Sequence, residues 1–271
     1  AVIKDSNAIT AVTANSSISG GNNTNWTINN GLCNVAPDSP TSLAQKTTGD
    51  VVITTGGWNN TTSIKFTATA SDTNNPDTLS LCVEYQPLGT GFTNTEIGCG
   101  TGAIYSGTPV SVTVTLNSIP DAFEYHWQAR IKDNSNAYSS WVSYGGNAES
   151  ARDYGLDTTA PTLSSINDGT SCGSDVTFNN GSLSSVSACW TQATATISGL
   201  SKYQYSVGTT SGGTDMLTWT DLVDGSANVS LTINSLTLQT SQQYFINVKA
   251  IDNATNTSSV ISTNGQLVAP T

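Results

Sequence analysis

"VSVTVTL", residues 110–116, alternates apolar and polar residues without a break. A period of two belongs to a half-buried β-strand and excludes an amphipathic helix over the same residues. "VSLTI" at 229–233 repeats the pattern 119 residues later. The offset then holds: Tyr125 maps to Tyr244, Trp127 to Ile246, Ala129 to Val248, Asp133 to Asp252, Asn134 to Asn253, and Ser139-Ser140 to Ser258-Ser259. Upstream, "LSLCVEY" at 79–85 answers "LSKYQYS" at 200–206 with an offset of 121. Two copies of one all-β unit account for these correspondences.

No window of ten or more residues carries a helical stripe, and β-branched residues, Gly and Asn-rich turns dominate. Strands are predicted at 62–70, 79–87, 102–107, 110–117, 123–132 and 140–145 in the first copy. In the second they fall at 185–195, 200–207, 217–222, 228–236, 243–251 and 259–268. About seven short strands per ~115 residues indicate a β-sandwich. "LDTTAPT", 156–162, is the junction, and "LVAPT" at the end echoes it, as if further copies followed or the run stopped there. The expected division is an N-terminal extended segment at 1–36, a first sandwich at 37–157 and a second at 158–271. The segment is too small for a core of its own. It is expected to add an edge strand to its own sandwich, with donation of a strand to a neighbouring subunit as the alternative.

The chain has 271 residues, only 10% of them charged, and a formal net charge of -11. Such an acidic chain repels nucleic acid and anionic membranes, so neither is an expected partner. No apolar run approaches the ~18 residues of a membrane helix. Ala1, without Met or a signal peptide before it, is read as a processed N-terminus or a cut boundary.

Five cysteines occur, none in a CxxC pair, and one histidine cannot complete a His/Cys zinc site. Cys82 and Cys99 are 17 apart, as are Cys172 and Cys189. Each pair lies within one expected domain, which favours two local disulfides and an oxidising compartment. Cys33 is left over, as a free thiol or an intermolecular bridge. Nine N-x-S/T sequons, at Asn15, Asn22, Asn25, Asn59, Asn60, Asn180, Asn228, Asn253 and Asn256, mark candidate glycosylation sites in a chain rich in Asn, Ser and Thr.

The sole histidine, His126, and one of two arginines, Arg130, fall in "YHWQARIKDNSNAYSSW", 125–141. Alternation turns Tyr125, Trp127, Ala129 and Ile131 toward the core and places His126, Gln128 and Arg130 on the solvent face. A Ser/His/Asp site needs a buried, oriented base and a nucleophile elbow, and neither is expected here. Asp and Glu sit mostly in turn contexts, which explains them without a glycosidase pair. No catalytic residue is assigned. Calcium is the one cofactor considered. "SDTNNPD" offers Asp72, Asn74 and Asp77, and the junction region offers Glu149, Asp153, Asp157 and Asp168, none with EF-hand spacing. Asp72, Asp77 and Asp157 are the calcium candidates. The two "DNxxNxSS"-like turns are read as shared turn geometry. Trp26, Trp58 and Trp219 are candidate sugar-stacking aromatics, while Trp127 and Trp190 read as core. Lys65 and Lys249 point outward, away from any isopeptide chemistry.

"LCVEYQPLG", "YHWQARIKDNSNAYSSWVSYGGNAES", "LDTTAPT", "YQYSVGTTSGGTDMLTWT" and "YFINVKAIDNATNTSS" resemble the tandem fibronectin type III and immunoglobulin-like sandwiches of large bacterial cell-surface proteins. The resemblance covers roughly residues 37–269 and implies an extracellular spacer, adhesin or appendage module without catalytic residues. The expectation is a secreted or cell-surface, non-enzymatic structural glycoprotein, a fibre subunit or adhesin stalk that assembles through β-strand pairing. Its partners would be copies of itself, neighbouring modules or a surface glycan. The alternative is a carbohydrate-binding accessory region of a secreted polysaccharide-degrading enzyme.

Overall fold

A computed structural model describes 2–3, 7–15, 18–19 and 24–29 as strand backbone, and 34–146, 150–179 and 181–269 in full. The strands β1 (Val2–Ile3), β2 (Asn7–Asn15), β3 (Ile18–Ser19) and β4 (Thr24–Asn29) pair in parallel, β1 with β3 and β2 with β4. The remaining chain forms two compact units.

The first unit comprises the described residues of 34–55, Ser63–Ile119 and Tyr125–Asp153. Its strands begin with β5 (Thr41–Lys46); β6 (Gly57–Asn59) follows in sequence but belongs to the second unit. Then come β7 (Ile64–Ala70), β8 (Asp77–Pro87), β9 (Gly98–Cys99), β10 (Ala103–Tyr105), β11 (Val110–Leu116), β12 (Glu124–Lys132) and β13 (Val142–Ser143). One antiparallel sheet runs β5-β7-β11; on the other, β8 is flanked by β10 and β12, with β9 and β13 as short additions. β7 shows why the layers meet: Ile64, Phe66, Ala68 and Ala70 are buried while the residues between them are not. Trp127 on β12 packs on Phe66, ring centroids 4.6 Å apart, and stacks on Tyr144 at 4.8 Å. Its indole N–H donates to Gln45 Oε1 at 2.8 Å, so the largest core side chain leaves no polar atom unpaired.

The second unit adds β14 (Tyr154–Leu156), parallel to β6, then β15 (Ile166–Asp168), β16 (Val186–Thr191), β17 (Leu200–Gly208), β18 (Leu217–Leu222), β19 (Asn228–Ile233), β20 (Gln243–Asp252), β21 (Ile261–Ser262) and β22 (Gln266–Leu267). Its sheets are β15-β16-β19 and β18-β17-β20, the latter with β21 and β22 on β20. Trp190, Tyr203, Tyr244, Ile246 and Val248 centre its core. Apart from the parallel β6–β14 pair, the ladders of both units are antiparallel, with corresponding strand partners.

The correspondence reaches single hydrogen bonds. Asp133 Oδ1 accepts the Ala137 N–H at 2.7 Å, and Asp252 Oδ1 accepts the Asn256 N–H at 2.8 Å. Ser139 Oγ accepts the Ile131 N–H at 2.8 Å, and Ser258 Oγ accepts the Ala250 N–H at 2.9 Å. Each turn holds one residue at positive φ, Asn136 at 64° and Thr255 at 71°. Asn tolerates that conformation, whereas the β-branched Thr255 is strained in it.

Each unit carries one disulfide, Cys82–Cys99 and Cys172–Cys189. They are not equivalent. Cys82 and Cys99 face each other across the β8–β9 ladder, whereas Cys189 lies on β16 and ties the segment after β15 to it.

Candidate functional site

Alternation places His126, Gln128 and Arg130 on a bare solvent face, and the structure corrects this. His126 is 2% exposed and Gln128 4%. The cause is the 88–97 connection between β8 and β9, which returns over the outer face of β8 and β12 and is pinned by Cys82–Cys99. His126 Nε2 lies 2.6 Å from the Thr90 carbonyl, and Phe92 covers the imidazole at 4.4 Å.

Beneath the same loop lies Glu84, fully buried. Its Oε1 accepts hydrogen bonds from Gln86 Nε2, the Thr93 N–H and the Thr93 hydroxyl, and its Oε2 accepts one from Gln128 Nε2. Burial pushes the Glu84 carboxyl up, but these bonds together outweigh it and hold the group below its ordinary value. A carboxylate so saturated with donors is a poor proton acceptor for a substrate. Arg130 pairs with Glu96 and lies over the rings of Tyr138 at 3.8 Å and Trp141 at 4.5 Å. The arrangement is a polar clamp that fastens the loop to the sheet.

The calcium candidates fall in different units. Asp72 and Asp77 belong to the first, where they converge with Asp133: one carboxylate oxygen from each lies within 4.8 Å of the others. In the sequence Asp133 belongs to a turn that recurs at Asp252; only the fold brings it beside the other two. Asp157 lies in the second unit, where its oxygens accept N–H bonds from Thr159 and Ser198.

Of the sequon asparagines, Asn59 is buried and donates to Thr61, Asn253 donates to the Ser198 carbonyl, and Asn256 bridges the Asp157 carbonyl and Asp252 Oδ2. A glycan removes one of the two N–H donors of such a nitrogen, so Asn256, which makes two such bonds, would lose one of them. Asn60 and Asn228 are exposed. The side chains of Asn15, Asn22, Asn25, Trp26 and Asn180 and the thiol of Cys33 lie outside the described residues. Trp58 packs over Gly155, where an added Cβ would meet its ring at 2.3 Å. The Lys249 ammonium sits 4.4 Å from the centre of the Trp219 ring. In the second unit the buried Tyr244 turns its hydroxyl to nearby backbone, Oη accepting the Gln239 N–H at 2.9 Å.

No protein-family model and no curated protein matches this sequence. Among solved structures, the chain is similar to the FN1–FN3 domains of chicken CNTN1, with 14% identity over 87% of this chain and 70% of that one, at a TM-score of 0.40. It is similar to domains of titin at 11% identity, 85% and 68% coverage and a TM-score of 0.46. It is also similar to the fibronectin(III)-like modules of Clostridium thermocellum CbhA, at 11%, 84% and 94%, with a TM-score of 0.41. The sandwich assignment itself stands on the ladders and cores above, and no activity follows from these likenesses.

Proposed function

We propose that this chain is a non-enzymatic structural segment of an extracellular protein, two sandwich units in a surface fibre or adhesin stalk. One observation carries the reading. What recurs between the units is scaffold, down to the individual bonds of the Asp133 and Asp252 turns. What does not recur, His126 and Arg130, is spent on fastening a loop. Residues of chemically versatile types are used to hold strands together. Two disulfides within an acidic, sparingly charged chain suit an oxidising, extracellular setting. Among the described residues, no helix is long and apolar enough to cross a membrane.

Assembly with further copies by strand pairing belongs to the same reading. Electron microscopy of material taken from its native source tests it. Filaments labelled by an antibody against the chain are expected. Labelled, dispersed monomers that stay monomeric at high concentration in sedimentation contradict the fibre.

A further inference from the structure

Two members of the acidic cluster of the first unit, Asp72 and Asp77, have no counterpart in the second unit, and the cluster is electrostatically incomplete. Asp72, Asp77 and Asp133 are 4%, 5% and 3% exposed, and an oxygen from each lies within 4.8 Å of the others. Three buried carboxylates at that spacing repel one another strongly in a medium less polarisable than water. None of the three forms an ion pair with a described Lys or Arg; Lys65, Arg130 and Lys202 pair instead with Asp50, Glu96 and Asp221.

Backbone turns use one oxygen of each acid. Asp72 Oδ1 accepts the Asn74 N–H, Asp77 Oδ1 accepts the Thr78 N–H, and Asp133 Oδ1 accepts the Ser135 and Ala137 N–H groups. Asp133 Oδ2 accepts one hydrogen bond from the Asn34 side-chain amide. Asp72 Oδ2, by contrast, is buried with no hydrogen-bond partner among the described residues. A buried, unpartnered oxygen on a carboxylate clustered with two more is relieved by a bound cation.

The second unit supplies the control. The connection corresponding to 71–77, residues 192–199, contains no Asp or Glu. Its surviving acid, Asp252, keeps the turn and satisfies its other oxygen with the Asn256 amide. Where the extra acids are missing, a neutral donor suffices.

We propose that Asp72, Asp77 and Asp133 bind one calcium ion. The donor set is all hard oxygen, which suits calcium and disfavours zinc or copper. Oxygens bound to one calcium ion lie at most about 4.6–5.2 Å apart, and the three here fall within 4.8 Å of one another. The cluster joins the 71–77 loop and the 133–137 turn. The chain entering the unit is held beside it, because Asn34 bonds Asp133 and the Val35 N–H donates to Asn74 Oδ1 at 2.8 Å. Calcium would therefore brace that end of the first unit. The proposal does not depend on the mechanical reading above.

The test is calorimetry on the full chain freed of metal with EDTA. Titration with CaCl₂ is expected to show one site, and a Tm raised by several degrees at saturation. Asp72→Asn, of the same shape, is expected to lose at least tenfold in calcium affinity and to lose the Tm shift. Its metal-free form should be as stable as metal-free wild type or more so, which separates lost binding from misfolding. No calcium-dependent heat or Tm shift in wild type overturns the proposal. So does a shift that survives in Asp72→Asn, or one that MgCl₂ reproduces at equal concentration.

Discussion

At the scale of single residues, Asp168 is the most exposed to test. Its carboxyl is fully buried, and burial pushes its pKa from 3.8 to about 6. Bonds from Thr263, Gly265 and Gln266 pull the other way, and the nearby Asp175 charge adds to the rise. The folded protein thus holds a proton between about pH 4 and pH 6 that the unfolded chain has released. Its contribution is full at low pH, falls as pH rises through that window, and is constant above it. Glu84 and Glu96, held below their usual range, act in the opposite direction, so the difference between wild type and variant is the useful quantity. Asp168→Asn keeps an acceptor for the Gly265 N–H, now 2.8 Å away. We expect its Tm advantage over wild type to grow from pH 4.5 to pH 6.5 and then level off. Superimposable pH profiles would contradict the buried, raised carboxyl.

At the scale of elements, the long alternating strands were legible and the covered face was not. "VSVTVTL" became β11 with the register its alternation requires, and Trp127 and Trp190 entered the two cores. Strands such as Gly57–Asn59, Gly98–Cys99 and Tyr154–Leu156 are too short to carry a period. Alternation in β12 correctly separates two faces but says nothing of what lies over the second. A signal was present: Cys82 is two residues from Glu84, so pairing Cys82 with Cys99 forces the intervening chain back near that face. The acidic cluster was half legible. Asp72 and Asp77 share one loop, but Asp133 comes from a turn more than fifty residues on, joined only by the sheet. Closing a 17-residue loop, the disulfide contributes about 3 kcal/mol on the chain-entropy view. Replacing Cys82 and Cys99 with Ser should lower stability by about that much and release the 88–97 loop. His126, protected from diethyl pyrocarbonate in the oxidised wild type, should then react. An unchanged modification rate would mean that the loop stays in place without its tether.

At the scale of the molecule, the account is of two sandwiches that share a plan and differ in their fastenings. One is clamped by a disulfide-tethered loop and an acidic cluster; the other carries a disulfide on the opposite sheet and a neutral amide where the acids would be. Such units should unfold as separate cooperative bodies. Pulling single full-length chains from their two ends tests this most directly. The account predicts two discrete unfolding events. Reducing the disulfides should then lengthen each event by about 60 Å, the extended reach of the 17-residue spacing. A single event spanning the whole chain, or smooth extension without discrete unfolding, would contradict it.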